Sequence, residues 1–312
     1  MQLSDARDSW LRALRAEGAS PNTQEIYSSA VDRFLEYLQT HHRPTDVAKI
    51  EREDVQGFIT HLQDTRSQAT AHNRFRALRA LFNYCADGGD ERTLRREGLC
   101  IIDRSPMRRM PPPKLDDRPI PLLTAEQIEA LWHLTERPGR DFRKRRDSAI
   151  IRLFLATGVR VGEMAGLHQD DLDLRGQIVT VGGKGHKWRR VPYSGAAAIS
   201  LDRYLAVRGE NRWVSQTERV WLGIKGHMTV SGIQDVVERM GARAGVADLH
   251  PHQLRHVFVD GCFADGMIEK DVESLLGWSS SAMSRRYASA RRAQRAIETY
   301  RRLGIGDPYR RS

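Results

Sequence analysis

Along the first 85 residues, apolar positions recur every three or four residues, the spacing of one face of an α-helix. Residues 4–17 set Trp10, Leu11 and Leu14 on one side. Ser20-Pro21 reads as an N-cap followed by proline at the first helical position, and Tyr27, Val31, Phe34, Leu35 and Leu38 continue that helix. A third helix carries Val55, Phe58, Ile59 and Leu62, and a fourth Phe75, Leu78, Leu81, Phe82 and Cys85. Four amphipathic helices with short connections predict a small helical bundle, residues 1–100.

The pattern then breaks. D-G-G-D, a basic stretch, M-P-P-P-K and D-D-R-P follow, and 101–119 reads as an extended, semi-stiff linker. Thr124-Ala-Glu-Gln127 has the form of a capping box and opens a second domain, 120–312, whose first helix buries Ile128, Leu131 and Trp132. The charged run R-D-F-R-K-R-R-D (140–147) precedes an almost wholly apolar helix, Ala149 to Ala156, closed by Gly158. Gln177–Val181 and Trp188–Val191 flank G-G-K-G and alternate like a hairpin with a glycine-rich tip. Helices are expected over 195–208, 229–244, 251–265, 268–276 and 281–302. The predicted fold is mainly α: an N-terminal four-helix bundle plus a mixed, mostly helical domain with a small antiparallel sheet.

Charge changes this picture. The chain of 312 residues carries a formal +10. Residues 1–100 hold 14 Lys and Arg against 15 Asp and Glu, so the excess lies in the remainder, at +11. A basic C-terminal two-thirds points to a polyanion partner. The run at 140–147 could face it or merely solvate a helix start; Arg74, Arg76 and Arg79 pose the same choice in the first domain. Cys85, Cys100 and Cys262 have no C-x-x-C spacing, which argues for a reducing compartment and against a zinc site. Neither a membrane-length apolar run nor a signal-peptide pattern is seen, so the expectation is a soluble, cytoplasmic protein.

The candidate chemistry lies in the second domain. His252 and Arg255 in H-Q-L-R-H share one helical face, Trp278 follows a helix-ending Gly277, and Tyr287 lies nine residues on, beside Arg285 and Arg286. Upstream, T-G-V-R-V-G-E supplies Arg160 and Glu163, and the hairpin tip supplies Lys184, with Lys187 in reserve. Donors suited to phosphate together with a hydroxyl nucleophile fit covalent attack on a phosphodiester.

In order and spacing, Arg160, Lys184, His252, Arg255, Trp278 and Tyr287 resemble the active-site set of the tyrosine recombinase (phage integrase) family. The likeness is close over 120–290 and one of layout over 1–100. It implies a core-binding domain that clamps DNA with the second, catalytic domain. Arg160 and Arg255 would fork onto the phosphate, His252 donate or assist proton movement, and Lys184 serve as general acid. Tyr287 would be the nucleophile and Glu163 the orienter of an arginine. Trp278 stands where the family often has histidine; its indole N–H still donates but cannot shuttle a proton.

The resemblance further implies DNA with inverted-repeat core sites, a synaptic homotetramer working through a four-way junction, and accessory directionality or DNA-bending proteins. No metal, ATP or other cofactor is called for. The spacing of Ala293, Ile297, Tyr300 and Leu303 predicts a helix over 290–303, which packs on its own domain or, as the resemblance favours, docks on a neighbouring protomer. No separate N-terminal arm-binding domain is expected. A type IB topoisomerase and a non-cleaving DNA-binding relative are the alternatives, and Tyr300 and Tyr309 are rival nucleophiles. His250-Pro-His252 superficially suggests the metal site of rolling-circle nucleases, and the acidic group Asp170, Asp171 and Asp173 a metal-dependent transposase. They lack the further ligands such sites need, and the aspartates read as an acidic helix exit. His256 reads as a structural histidine.

Overall fold

A computed structural model describes residues 1–86, 100–114, 122–182, 188–278 and 300. The chain divides into two compact units, 1–119 and 120–312. The first contains α1 (Leu3–Ala16), α2 (Pro21–Thr40), α3 (Arg52–Thr65) and α4 (Gln68–Cys85). Ser20 and Ser67 cap α2 and α4, their hydroxyls accepting from the Thr23 and Thr70 N–H groups, which satisfies donors a helix start leaves open. The apolar stripes meet around Trp10, Phe34, Phe58, Phe75 and Phe82, all 2% exposed or less. Phe34 packs on Phe58 and Phe82 with ring centroids 5.1 and 6.2 Å apart.

Two expectations change here. Residues 101–119 were read as linker, but 101–114 packs on the bundle: Met107 and Met110 are buried in its core, and His72 Nδ1 lies 2.9 Å from the Pro113 carbonyl. Two apolar side chains three apart outweigh the surrounding prolines. Arg79, a candidate phosphate contact, instead donates to the Met110 carbonyl and lies over the Phe75 ring. Arg74 donates to the Ile26 carbonyl at 3.4 Å, whereas Arg76 is exposed.

The second unit is built on α6 (Phe142–Thr157), surrounded by α5 (Ala125–Glu136), α8 (Gly195–Arg208), α9 (Val230–Arg243) and α10 (Pro251–Ala264). Short α7 (Val161–Gly166) follows α6, and α11 (Glu269–Leu276) follows α10. A sheet of β1 (Leu172–Asp173), β2 (Ile178–Gly182) and β3 (Trp188–Pro192) runs antiparallel in that order. Val179 pairs with Val191 and Gly182 with Trp188. Val179, Val181 and Val191 face the core, as strand alternation requires.

The α6 start is corrected. The charged run does not precede the helix; it forms the first turns, with Asp141 as N-cap accepting from the Lys144 N–H at 2.8 Å. Arg146 and Asp147 are buried and paired, Arg146 reaching the Leu222 carbonyl and Arg239 closing on Asp147 from α9. Arg152, inside the stretch read as apolar, donates to Thr135 Oγ1 and lies over the Trp132 ring at 3.9 Å. Of the basic run, Arg140, Arg143 and Lys144 remain exposed and Arg145 is half-buried. Nor are the aspartates a helix exit: Asp171 accepts from the His168 N–H and Asp173 from the Gly176 N–H, shaping the turns around β1. Among the described residues, no helix is long and apolar enough to cross a membrane.

Candidate active site

Helix ends build the site. Gly158 closes α6 in the left-handed conformation (φ 57°), which glycine adopts without strain. It must also be glycine for space: a Cβ there would sit 2.4 Å from Phe258 Cδ1. The chain then turns so that Arg160 stands at the N-cap of α7. Arg160 Nη1 donates to Glu163 Oε1 at 3.0 Å, and its backbone N–H donates to Oε2 at 2.7 Å. The Arg160 side chain remains 42% exposed.

Gly277 ends α11 in the same left-handed way (φ 60°), and the Trp278 N–H reaches back to the Glu273 carbonyl. Last-turn carbonyls of a helix lack intrahelical donors, and arginines supply them here. Arg255 donates to the Gly158 carbonyl at 2.5 Å and the Leu276 carbonyl at 3.1 Å, so one guanidinium closes both α6 and α11. It is 4% exposed and lies 5.7 Å from the Trp278 ring centre. Burial, then Arg160, pushes its pKa down to about 9, still positive at neutral pH.

His252 sits one turn before Arg255, exposed, with its ring stacked on His256 at 5.5 Å. Lost hydration in the cleft, followed by Arg255, His250 and Arg160, holds its imidazole below the ordinary histidine value. The ring is therefore neutral at neutral pH, able to donate from one nitrogen and accept at the other.

Arg160, Glu163, His252, Arg255 and Trp278 all line one cleft of about 1500 Å³ in the second unit. Gly182 and Trp188, the paired ends of β2 and β3, line it too. Lys184, its reserve Lys187, and Tyr287 lie outside the described residues, as does the expected tail helix apart from Tyr300.

One residue escaped the sequence reading. Arg189, in β3, forms a two-pronged ion pair with Glu163, both N–O distances 2.8 Å. Its Nε donates to the Leu275 carbonyl at 2.6 Å. Burial works to raise the Glu163 pKa, but the hydrogen bonds from Arg189 and the Arg160 N–H, then both charges, bring it below the usual carboxylate value. The signal was strand parity: Arg189 shares its face with buried Val191.

Known proteins resemble this chain throughout. Residues 121–294 match the Phage integrase family, and 7–88 match the Phage integrase N-terminal SAM-like domain. Tyrosine recombinase XerC of Roseiflexus castenholzii is 30% identical over 295 residues, 91% of this chain and 88% of that protein. Tyrosine recombinase XerD of Mycobacterium tuberculosis is 31% identical over 282 residues, 86% and 88% of the two chains. Among solved structures, the Tn1549 transposon integrase in complex with transposon right end DNA shares the fold (TM-score 0.68, 17% identity, 95% and 100% covered). With more than half its length inside that family's bounds and such kinship across most of both chains, this chain belongs to the phage integrase family, the tyrosine-type site-specific recombinases.

Proposed function

We propose that this recombinase cleaves and rejoins double-stranded DNA through a covalent 3′-phosphotyrosine at Tyr287. One observation carries the reading: Arg160, His252, Arg255 and Trp278, from three separated segments, line the same cleft. Attack of a hydroxyl on a phosphodiester gathers negative charge on the non-bridging oxygens, and fixed donors aimed there lower the barrier. Arg160, with its exposed guanidinium, and Arg255, pinned between two helix ends, supply that charge. The neutral His252 imidazole donates to the same phosphate.

The Tyr287 oxygen forms the new P–O bond as the P–O5′ bond breaks, its own proton passing to the accepting nitrogen of the neutral His252 ring, and Lys184 gives a proton to the departing 5′-oxygen. Gly182 and Trp188, which bracket the Lys184 segment, line the cleft, which supports this role. A 5′-hydroxyl from the partner strand then reverses the step, so ATP is unnecessary: the ester keeps the bond energy. The fixed cations answer the transition-state charge, and the reaction is expected to proceed in EDTA.

The substrate is a pair of duplexes with inverted-repeat core sites. They are held by a homotetramer through a four-way junction, with accessory directionality or DNA-bending proteins choosing the direction. Both units hold the duplex; the Tn1549 integrase, which shares the fold, is solved in complex with transposon right end DNA. Genome-wide mapping of protein-linked DNA ends, with and without EDTA, tests the reading. It predicts discrete inverted-repeat sites with protein on 3′ ends under both conditions. Adducts that vanish in EDTA, or protein on 5′ ends, would refute it.

A further inference from the structure

We infer that Arg189 is a positioning residue for the reaction, setting Glu163 and thereby Arg160 against Arg255 across the cleft. The inference rests on the reading above, in which Arg160 and Arg255 hold the scissile phosphate.

Arg189 lines the same cleft, but its three nitrogens are all engaged within the protein, donating to both Glu163 oxygens and the Leu275 carbonyl, so it acts through them rather than on the phosphate. Those bonds join three separate segments: β3, the start of α7 and the end of α11. The Leu275 and Leu276 carbonyls are consecutive, one taken by Arg189 and the next by Arg255. Two guanidiniums anchored on adjacent carbonyls have little freedom relative to each other. Gly277 completes the packing, since a Cβ there would lie 3.2 Å from Arg189 Cδ.

The charge arrangement explains why a second arginine is required. Glu163 is 6% exposed, and its Oε1 is shared by Arg160 at 3.0 Å and Arg189 at 2.8 Å. A buried carboxylate needs a cation. Were Arg160 its sole partner, the exposed Arg160 guanidinium would be drawn to Glu163 and its charge spent there. With Arg189 balancing the carboxylate, Glu163 still orients Arg160 while that guanidinium's charge stays available to a phosphate. Small errors in such placement are costly in rate, because preorganisation is what the donors contribute.

The test is single-turnover cleavage by the full-length protein of a suicide duplex built on a site recovered from protein-linked DNA ends. Arg189→Met should slow cleavage by about 30-fold while duplex affinity changes less than about 3-fold. Arg189→Lys should recover part of the rate. Because Arg189→Met leaves a buried carboxylate and could misfold, Arg189→Met/Glu163→Gln is measured beside it. The double variant should be no slower than Arg189→Met alone, since the pair acts as a unit. The decisive readout is a scissile methylphosphonate, in which an uncharged methyl replaces one non-bridging oxygen. On it the Arg189→Met deficit should shrink to less than about 3-fold, there being less charge to stabilise. Equal deficits on phosphate and methylphosphonate would make Arg189 merely structural, and an unimpaired Arg189→Met would also overturn the inference. A wild-type protein that forms no adduct would instead refute the phosphotyrosine reading.

Discussion

The two units treat buried charge differently. Among the described residues, the first unit buries a single charged side chain, Asp54, held by Arg43 and the Glu51 N–H. The second buries Arg146, Asp147, Arg152, Arg208 and Arg255. Apolar area stabilises the bundle. In the other unit, guanidiniums pin backbone carbonyls: Arg208 on Thr217, Arg219 and Val220, Arg146 on Leu222, Arg255 on Gly158 and Leu276. Burying an arginine is therefore no mark of function in this molecule. Of these four buried arginines only Arg255 lines the cleft, and position separates it from the structural ones.

The contrast can be broken most severely at Tyr287. Tyr287→Phe should abolish covalent attachment to a suicide duplex while leaving DNA affinity nearly unchanged, as read by denaturing gels and mobility shift. Trapping by the Phe variant would move the nucleophile to Tyr300 or Tyr309. In the bundle the largest effect should be on stability alone. Phe34→Ala opens an apolar cavity and should cost about 3–5 kcal/mol in denaturant unfolding. Cleavage per bound complex should stay within about 3-fold of wild type, since no donor is lost.

Arg255→Ala should do both kinds of damage. Cleavage should slow by about 10²-fold or more, as for loss of one oxyanion donor. Thermal stability should also drop, because the Gly158 and Leu276 carbonyls lose their donor. A variant stable but inactive, or active but unstable, would separate roles that the structure joins.

The smallest effect concerns His252. Its folded pKa lies below the ordinary value of about 6.5. As pH falls through that value, the unfolded chain takes up a proton that the folded one refuses, so stability declines with falling pH. Unfolding of wild type and His252→Gln between pH 7.5 and about 5 should differ by a shallow slope present only in wild type. Parallel curves would mean the ring is not held neutral.

Much of this was legible in sequence because helices announce themselves locally. Helix α8 occupies 195–208 as its pattern predicts, and Ser20 and Thr124 cap helices as their chemistry directs. Arg160, His252, Arg255 and Trp278 could be picked from short motifs, although their meeting in one cleft needed coordinates. What escaped was non-local. Arg189 and Glu163 lie 26 residues apart and meet only through the hairpin register. The inward turn of Arg79 depends on Met107 and Met110 bringing 101–114 onto the bundle, a tertiary fact that prolines obscure. The start of α6 was missed because charged residues that read as surface are partly interior, paired across Asp147.

Gly158 makes the proposed active centre vulnerable to a change involving no charge at all. One added methyl group would strain a left-handed backbone and collide with Phe258, displacing both the carbonyl that Arg255 holds and, two positions on, Arg160. A screen for recombination-dead alleles should therefore return this hidden elbow alongside the arginines. Such an allele would keep every polar group of the cleft and still be inert.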